Sequence, residues 1–476
     1  MKSFPKKILT ITGLTIAFVA VVIMCITLLV DINSYKPRIE AALWEATGLN
    51  VKLNGKIGIS FFPLGISAGD IHVTEKDSEI LALKTLKLGV AFWPLLKKQI
   101  NITSCKLIDP TLTISRDAAG TYNFETPERK SSKGGMGAAA LLKEIKVSHG
   151  TLVYLDQKTG EETALKDINL AIGNLRIANA SGNLMKNISF TGSVDCGEIK
   201  KKLFKIENFQ SSIEAANGLI HFNPLSMDVF GAKGGGALTV DVSGTDTVYA
   251  IDLKVPSLDF AELQKSFGKK KMIGGRGDLY ASLTMQKKGR GDLVHGAKGT
   301  FSLEGKKLVY YAMDLDKILS SYKSSREANL ANIGALFIAG PLSTAALEAY
   351  RHVDAYYEAR KGQTNITKFV AKWTIRDGMA DAVDCALATR KNRIAAKGKL
   401  NLVSEQYENL TVALVDRKGC AKLKQTINGP FKSPRISTMS ALQLLGSSIV
   451  NLFSEARDLV QGGDCEVFYS GSVGPP

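Results

Sequence analysis

Long stretches of this chain alternate apolar and polar residues, and Gly, Asn and Asp break the alternation at short intervals. A period of two sends successive side chains to opposite faces of a strand, so one face is dry and the other wet. Ile57, Ile59 and Phe61 alternate with Gly58 and Ser60. Leu86, Leu88, Val90 and Phe92 alternate with Lys87, Gly89 and Ala91. Ile108, Leu112 and Ile114 share one face around Pro110, with Asp109, Thr111 and Thr113 opposite. Leu238, Val240 and Val242 alternate with Thr239, Asp241 and Ser243, and Leu400 and Leu402 repeat the pattern beside Lys399 and Asn401. The expected fold is mainly β with some α, built on a long curved sheet rich in antiparallel pairs. Asn54-Gly55, Asn217-Gly218, Asp377-Gly378 and Asn428-Gly429 are expected hairpin turns. Gly150, Gly236, Gly277, Gly299 and Gly398 each precede an x-apolar pair and read as a recurring signal that opens a strand.

A second feature precedes the strands. Residues 8–30 (ILTITGLTIAFVAVVIMCITLLV) carry no charge, with Lys2, Lys6 and Lys7 before them and Asp31 after. About 20 apolar residues in a helix span a bilayer core, and lipid leaves the backbone no other way to satisfy its polar groups. The lysines place residues 1–7 in the cytoplasm as a short stub and everything after Asp31 across the membrane. The competing reading is a cleaved signal peptide. The run is longer than a usual signal core and no clean small-x-small site precedes Asp31. A single-pass transmembrane helix is therefore expected.

Behind the anchor, Ser34-Tyr35-Lys36-Pro37 opens a short helix, with Ser34 as cap and Pro37 in the tolerant first turn. Tyr35, Ile39, Ala42, Leu43 and Ala46 form one face before Gly48, read as a packing face that closes the end of the sheet. Residues 31–129 form an N-terminal β region. Residues 130–140 (KSSKGGMGAAA) form a flexible linker or loop. Residues 141–311 make a middle β-groove region, and residues 312–476 a C-terminal region. The last holds a helical insert from Met313 to Lys361, broken at Gly340-Pro341. It also holds a C-terminal helix over about 440–460, with Leu444, Leu445, Ile449 and Phe453 on one side.

Chemistry-bearing motifs are scarce. There is no G-x-S-x-G, H-E-x-x-H or P-loop, and Gly274-Gly275-Arg276-Gly277 lacks dinucleotide spacing and reads as a bend or bulge. Asp314 and Asp316 read as caps of a helix, and Asp117 with Gly120 as a tight hairpin turn. The 5 histidines are scattered. Of the 6 cysteines, Cys25 lies in the apolar run and none stands at CxxC spacing, so no metal or redox site is expected. Cys420 and Cys465 flank the last segment and are the candidate disulfide, permitted in an exported compartment. At least one of Cys105, Cys196 and Cys385 then stays unpaired. No catalytic residue, metal or cofactor is expected, and the chain reads as a non-enzyme. The net charge of +16 suits anionic head groups or lipopolysaccharide as well as a plain solvated surface. Nucleic acid is not an expected partner of a chain placed beyond the cytoplasm with dispersed basic residues.

The segment VDINSYKPRIEAALWEATGLNVKLNGKIGISFFPLGISAGDIHV resembles the start of AsmA family proteins of Gram-negative bacteria, as does FWPLLKKQINITSCKLIDPTLTISRDAAGTYNF. The family pattern maps onto Pro94-Leu95-Leu96, Pro110, Arg116-Asp117 and Tyr122-Asn123-Phe124. Later segments, from IKVSHGTLVYLDQKTGEETALKDINL to FVAKWTIRDGMADAVDCALATRKNRIAAKGKLNL, extend the likeness over most of the chain. The resemblance implies an inner-membrane anchor and a periplasmic body. It also implies kinship with bridge-like lipid transfer proteins, whose curved sheets form an apolar groove for acyl chains. This chain is short for such a role, because roughly 20 strands at about 4.8 Å reach only about 100 Å.

The resemblance and the alternation meet at the dry face. Such a face either packs on helices or a second sheet, or curls and holds lipid tails. The alternating residues are then the groove candidates: Ile57, Ile59, Phe61, Leu86, Leu88, Val90, Phe92, Leu112, Ile114, Leu238, Val240, Val242, Leu400 and Leu402. The expected function is binding and transport of phospholipid or another acyl lipid for outer-membrane biogenesis, with the membrane and other envelope proteins as partners. The alternative is a periplasmic scaffold or assembly factor for outer-membrane proteins, with the helical insert as its contact element.

Overall fold

The computed structural model describes residues 32–47, 49–75, 78–91, 93–94, 101–123, 142–177, 184–268, 270–287, 293–311, 314–321, 362–437 and 465–476. The expected anchor, the 130–140 linker, the insert beyond residue 321, the C-terminal helix and Phe92 lie outside the described residues. Among the described residues no helix is long and apolar enough to cross a membrane. The described chain is mainly β, with 21 strands and few helices. It divides into two compact units, Met1–Lys202 with Ile213–Ala216, and Leu203–Ser212 with Asn217–Pro476.

In the first unit a 3-10 turn (Ile32–Tyr35) leads into α1 (Lys36–Thr47). The strands follow as β1 (Asn50–Leu53), β2 (Ile57–Phe61), β3 (Leu64–Glu75), β4 (Ser78–Val90), β5 (Ile102–Arg116), β6 (Glu144–Asp156), β7 (Glu161–Ile177) and, after the short α2 (Leu184–Asn187), β8 (Ile188–Lys201). β3 to β8 pair in chain order, antiparallel throughout except for the parallel β5–β6 pair. β1 and β2 both pair with β3 and not with each other. Asn54-Gly55 is thus a break in one continuous edge rather than the expected hairpin turn. The Asn54 and Gly55 N–H groups donate to the Asp70 and Gly69 carbonyls across that break. The expected turn at Asp117 and Gly120 is present, closed by the Gly120 N–H on the Asp117 carbonyl.

Asp70, Asp109, His149 and Asp167 sit inside strands with φ of 47°, 50°, 56° and 54°. Each is a left-handed residue that breaks the pleat and shifts the alternation by one, a bulge shared by neighbouring strands so that the register from β3 to β6 is kept across it. The register aligns these bulges in a band across β3, β5, β6 and β7. A bulge withdraws an N–H from the ladder, and a buried N–H needs another acceptor. The His149 N–H donates to Asn169 Oδ1 on β7 at 3.1 Å, and Lys84 reaches Asp109 at 3.2 Å. The shift corrects one expectation. Strict alternation placed Ile108 with Leu112 and Ile114, but the bulge at Asp109 moves Leu107 to their side, where it packs against the Val51, Leu53, Ile57, Ile71 and Leu83 core.

The second unit holds β9 (Phe204–Ala216, its last residues grouping with the first unit), β10 (Leu219–Val229), β11 (Ala232–Asp241), β12 (Thr247–Asp259), α3 (Phe260–Ser266), β13 (Ile273–Gly274), β14 (Arg276–Lys287), β15 (Lys298–Tyr310), α4 (Leu315–Ser321) and β16 (Thr364–Arg376). β17 (Met379–Ala388), β18 (Arg393–Asn401), β19 (Gln406–Val415), β20 (Ala421–Pro430) and β21 (Arg435–Ser437) complete it. From β10 the strands pair antiparallel in chain order, with β13 beside β14 on β15. Asn217-Gly218 and Asp377-Gly378 make the expected two-residue turns, all four residues at positive φ. Asn428-Gly429 does not. It lies inside β20, where Asn428 Oδ1 accepts the N–H of the left-handed Asn409 at 2.8 Å. The glycine signal divides in the same way. Gly277 and Gly299 stand near strand starts, whereas Gly150, Gly236 and Gly398 are mid-strand. A Cβ on Gly236 or Gly398 would overlap the carbonyl of the neighbouring strand, at Asp252 or Asn409. The glycine records close backbone approach there. The Gly274–Gly277 run is the expected bend, with Gly275 at φ 114° between β13 and β14.

Residues 465–476 pack on the other side of β16 to β19. Tyr469 and Val473 bury themselves on Val370, Ala386, Ala395 and Ala413. Cys420 and Cys465 form a disulfide, with Cα atoms 6.0 Å apart. The Tyr469 hydroxyl and the Ser472 N–H both donate to Asp384, and Arg393 donates to the Val473 carbonyl. Burial opposes ionisation of Asp384, but those hydrogen bonds outweigh it and hold the carboxyl below the usual range.

Three expectations follow. Gly398→Ala, at φ 135° and against Asn409 and Leu410, should cost about 2 kcal/mol or more, read as a lower thermal midpoint. An unchanged midpoint would contradict the close approach. Replacing Cys420 and Cys465 by Ser opens a loop of 45 residues, and the chain-entropy model gives a loss approaching about 4 kcal/mol. Hydrogen exchange over 465–476 should rise with it. Asp384 has a depressed native pKa, so its contribution is present above the unfolded value near about 3.9 and is lost as pH falls through the native one. Protection of the 465–476 segment, corrected for intrinsic rates, should hold at pH 5 and fall away in the acid range below about pH 4.

Candidate functional site: the apolar sheet faces

Register partners share a face, so the pairings assemble the alternating residues into rows. In the first unit one row runs Ile57, Ala68, Leu86, Leu107, Val147, Leu170 and Val194 across β2 to β8. The adjacent row runs Ile59, Ile66, Leu88, Cys105, Ile145, Ile172 and Gly192. Beyond the band of bulges a third runs Val73, Leu81, Leu112, Leu152, Leu165 and Ile199. Ile114 continues outward opposite Tyr154. The opposite face of the same strands carries Ser67, Lys87, Lys106, Lys146, Ala171 and Ser193 in one row. The sheet is therefore two-faced along its whole width.

Among the described residues, cover on the apolar side is partial. α1 lays Ile39 and Leu43 on the core at the β1–β2 edge, the role expected of its stripe. Glu40 accepts the Leu53 N–H at 2.7 Å and Asn33 the Ile57 N–H at 2.9 Å, which seat the helix there. Away from α1 the side chains are half-buried, including Leu86, Leu88, Leu107, Val147, Leu170 and Ile172. Ile66 is 42% exposed. Burial pushes the Cys105 thiol up, as suits a sulfur in an apolar row.

The second unit treats its apolar face differently. Phe222, Leu238, Ile251, Leu283, Gly299, Ile375, Ala380, Leu400 and Tyr407 form one row. Val240 lies in the next, with Ile220, Tyr249 and Met285. At one end α3 and α4 press Phe260, Leu263, Leu315 and Leu319 into the face, and Leu258, Leu303, Phe369 and Leu387 are completely buried with them. Asp259 caps α3 by accepting the Ala261 N–H, and Asp314 caps α4 by accepting the Lys317 N–H. Asp316 instead binds Thr389 and Asn392 in the β17–β18 turn. Here the face packs on the protein's own helices. Toward Leu238, Val240, Ile251, Leu283 and Met285 it is only half-buried.

The sequence candidates fall into three groups. Ile57, Ile59, Leu86, Leu88, Leu112, Ile114, Leu238 and Val240 lie on the apolar faces just described. Leu400 is 1% exposed, inside the core of the second unit, and Leu402 packs against that core just past β18. Val90 ends β4 beyond a register shift, Val242 follows β11, and the Phe61 side chain lies outside the described residues. Sequence reading passed over Leu107, Ile145, Val147, Leu170 and Ile172, although Ile145-Lys146-Val147 and Leu170-Ala171-Ile172 alternate plainly. It also passed over α3, whose Asp259-x-x-Glu262 start is a cap signature.

The arrangement defines a mainly β protein with two-faced, mostly antiparallel sheets. The AsmA family model matches residues 1–192, and the match supports an AsmA family protein. No curated protein matches the chain.

Proposed function

We propose that this chain is a lipid-binding protein of the Gram-negative envelope that moves or presents phospholipid for outer-membrane biogenesis. In this reading residues 8–30 anchor it in the inner membrane and the strands lie in the periplasm. One observation carries the proposal: in the first unit, apolar rows cross from β2 to β8 only partly buried away from the β1–β2 edge, while the reverse face carries Lys87, Lys106 and Lys146. Each acyl methylene seated on such rows is worth about 0.8 kcal/mol, so a fatty chain needs no polar pocket to be held. The match of residues 1–192 to the AsmA family model is consistent with an envelope role in lipid transport or assembly.

The test is phospholipid co-purifying with the full chain, measured by extraction and mass spectrometry. Leu88→Asp with Leu170→Asp places carboxylates in the two central rows, and should cut bound lipid at least tenfold while the circular dichroism spectrum is kept. Lys87→Asp, on the reverse face, should leave occupancy unchanged. A folded Leu88, Leu170 double variant with full lipid content would sink the proposal. Polypeptide in place of lipid on the wild-type chain would favour a scaffold for outer-membrane proteins.

A further inference from the structure

We propose that the β2–β3 turn and the end of β4 dock the first unit onto a phospholipid bilayer, with Phe62 and Trp93 seated among the head groups. The inference rests on the anchor reading of residues 8–30. Phe62 is 90% exposed and Trp93 76%. Both stand at the same end of the sheet. Gly65 pairs with Gly89, and a Cβ on Gly89 would overlap the Pro63 ring, so the end of β4 lies against the turn.

On the anchor reading, α1 and the 3-10 turn before it give the side from which the chain would enter. Glu40 sits on Leu53 and Asn33 on Ile57. Passing backward along α1 therefore means passing along the edge from β1 to β2, toward the turn. Asn33 lies three residue steps past Val30, the last of the apolar run, a reach of at most about 10 Å. The strand from Ile57 to Phe61 advances about 13 Å in the same direction, and Phe62 follows it in the turn. On the anchor reading, the turn thus reaches at least as far in this direction as the chain could carry the end of the apolar run. Aromatic rings this exposed are suited to that interface, where one side is apolar and the other wet.

The turn also joins the apolar face. Leu64 and Ile66, 37% and 42% exposed, follow Phe62 at alternate positions, and Ile66 belongs to the row of Leu88. A lipid leaving the bilayer between Phe62 and Trp93 would meet apolar side chains without crossing water. The reverse-face lysines stay outside this path.

The full chain in liposomes of phosphatidylethanolamine and phosphatidylglycerol tests the docking, with photoreactive benzoylphenylalanine replacing Phe62, Trp93, Val383 or Val21 in turn. Val383 is an exposed control at 64% in the second unit, and Val21 reports the anchor. The set is repeated with Leu88→Asp and Leu170→Asp, so that adducts to lipid held on the apolar face are removed. Phospholipid adducts at 62 and 93 at least threefold above those at 383, in both backgrounds, are the expected result. Adducts at 21 with none above control at 62 and 93 would overturn the docking and leave the anchor standing. Adducts to a second copy of the chain at 62 and 93, in place of lipid, would also overturn it. No lipid adduct at 21 would remove the anchor reading and the docking with it.

Discussion

Everything in the first unit depends on how the strands pass through their bulges. A strand that inserts one left-handed residue turns every later side chain to the other face. β3, β5, β6 and β7 do this at aligned positions, with Asp70, Asp109, His149 and Asp167. Because the shifts are in register, the apolar rows stay on one side both before and after the band. The short polar residues tolerate the left-handed conformation, and their neighbours take up the released donors, as Asn169 does for His149. The second unit repeats the device: the Ser257 N–H donates to Asp278 at 2.8 Å and the Asn409 N–H to Asn428 at 2.8 Å.

The two units put the same kind of face to different uses. In the second, α3 and α4 bring Phe260, Leu263 and Leu315 into it, and the result is an ordinary closed core at that end. In the first, only α1 covers it among the described residues, and only at the β1–β2 edge. Leaving such rows half-exposed costs about 25 cal/mol for each Å² of apolar surface kept in water. Retaining that cost across so many strands is what turns a packing surface into a candidate site. The 465–476 segment makes the contrast sharper, since on the reverse of β16 to β19 a patch of alanines is covered by Tyr469 and Val473 and held by a disulfide.

Legibility in the sequence followed the range of the interaction. Stretches of unbroken alternation, such as Leu86 to Leu88 or Leu238 to Val240, could be read with their faces, because period two is a local property of the backbone. Ile108 was misplaced because a single positive φ at Asp109 is invisible to an alternation count. Asn428-Gly429 has the composition of a turn, yet sits within a strand because its side chain serves a bulge on β19. Asn54-Gly55 looks like a hairpin and is an edge break, since β1 and β2 share β3 as partner.

The sequence by itself determined that the chain is mainly β, that its strands have a dry and a wet face, and that Asp314 caps a helix. These follow from residue periodicity and from the side chains next to each backbone group. Only the tertiary structure decided which strand lies beside which, and hence that Ile59, Ile66, Leu88, Cys105, Ile145 and Ile172 form one row. It also decided where the face is closed: Leu400 alternates as plainly as Leu88, but one is buried in a core and the other stands half-open. Burial depends on what packs against a face, and no pattern within a single strand carries that information.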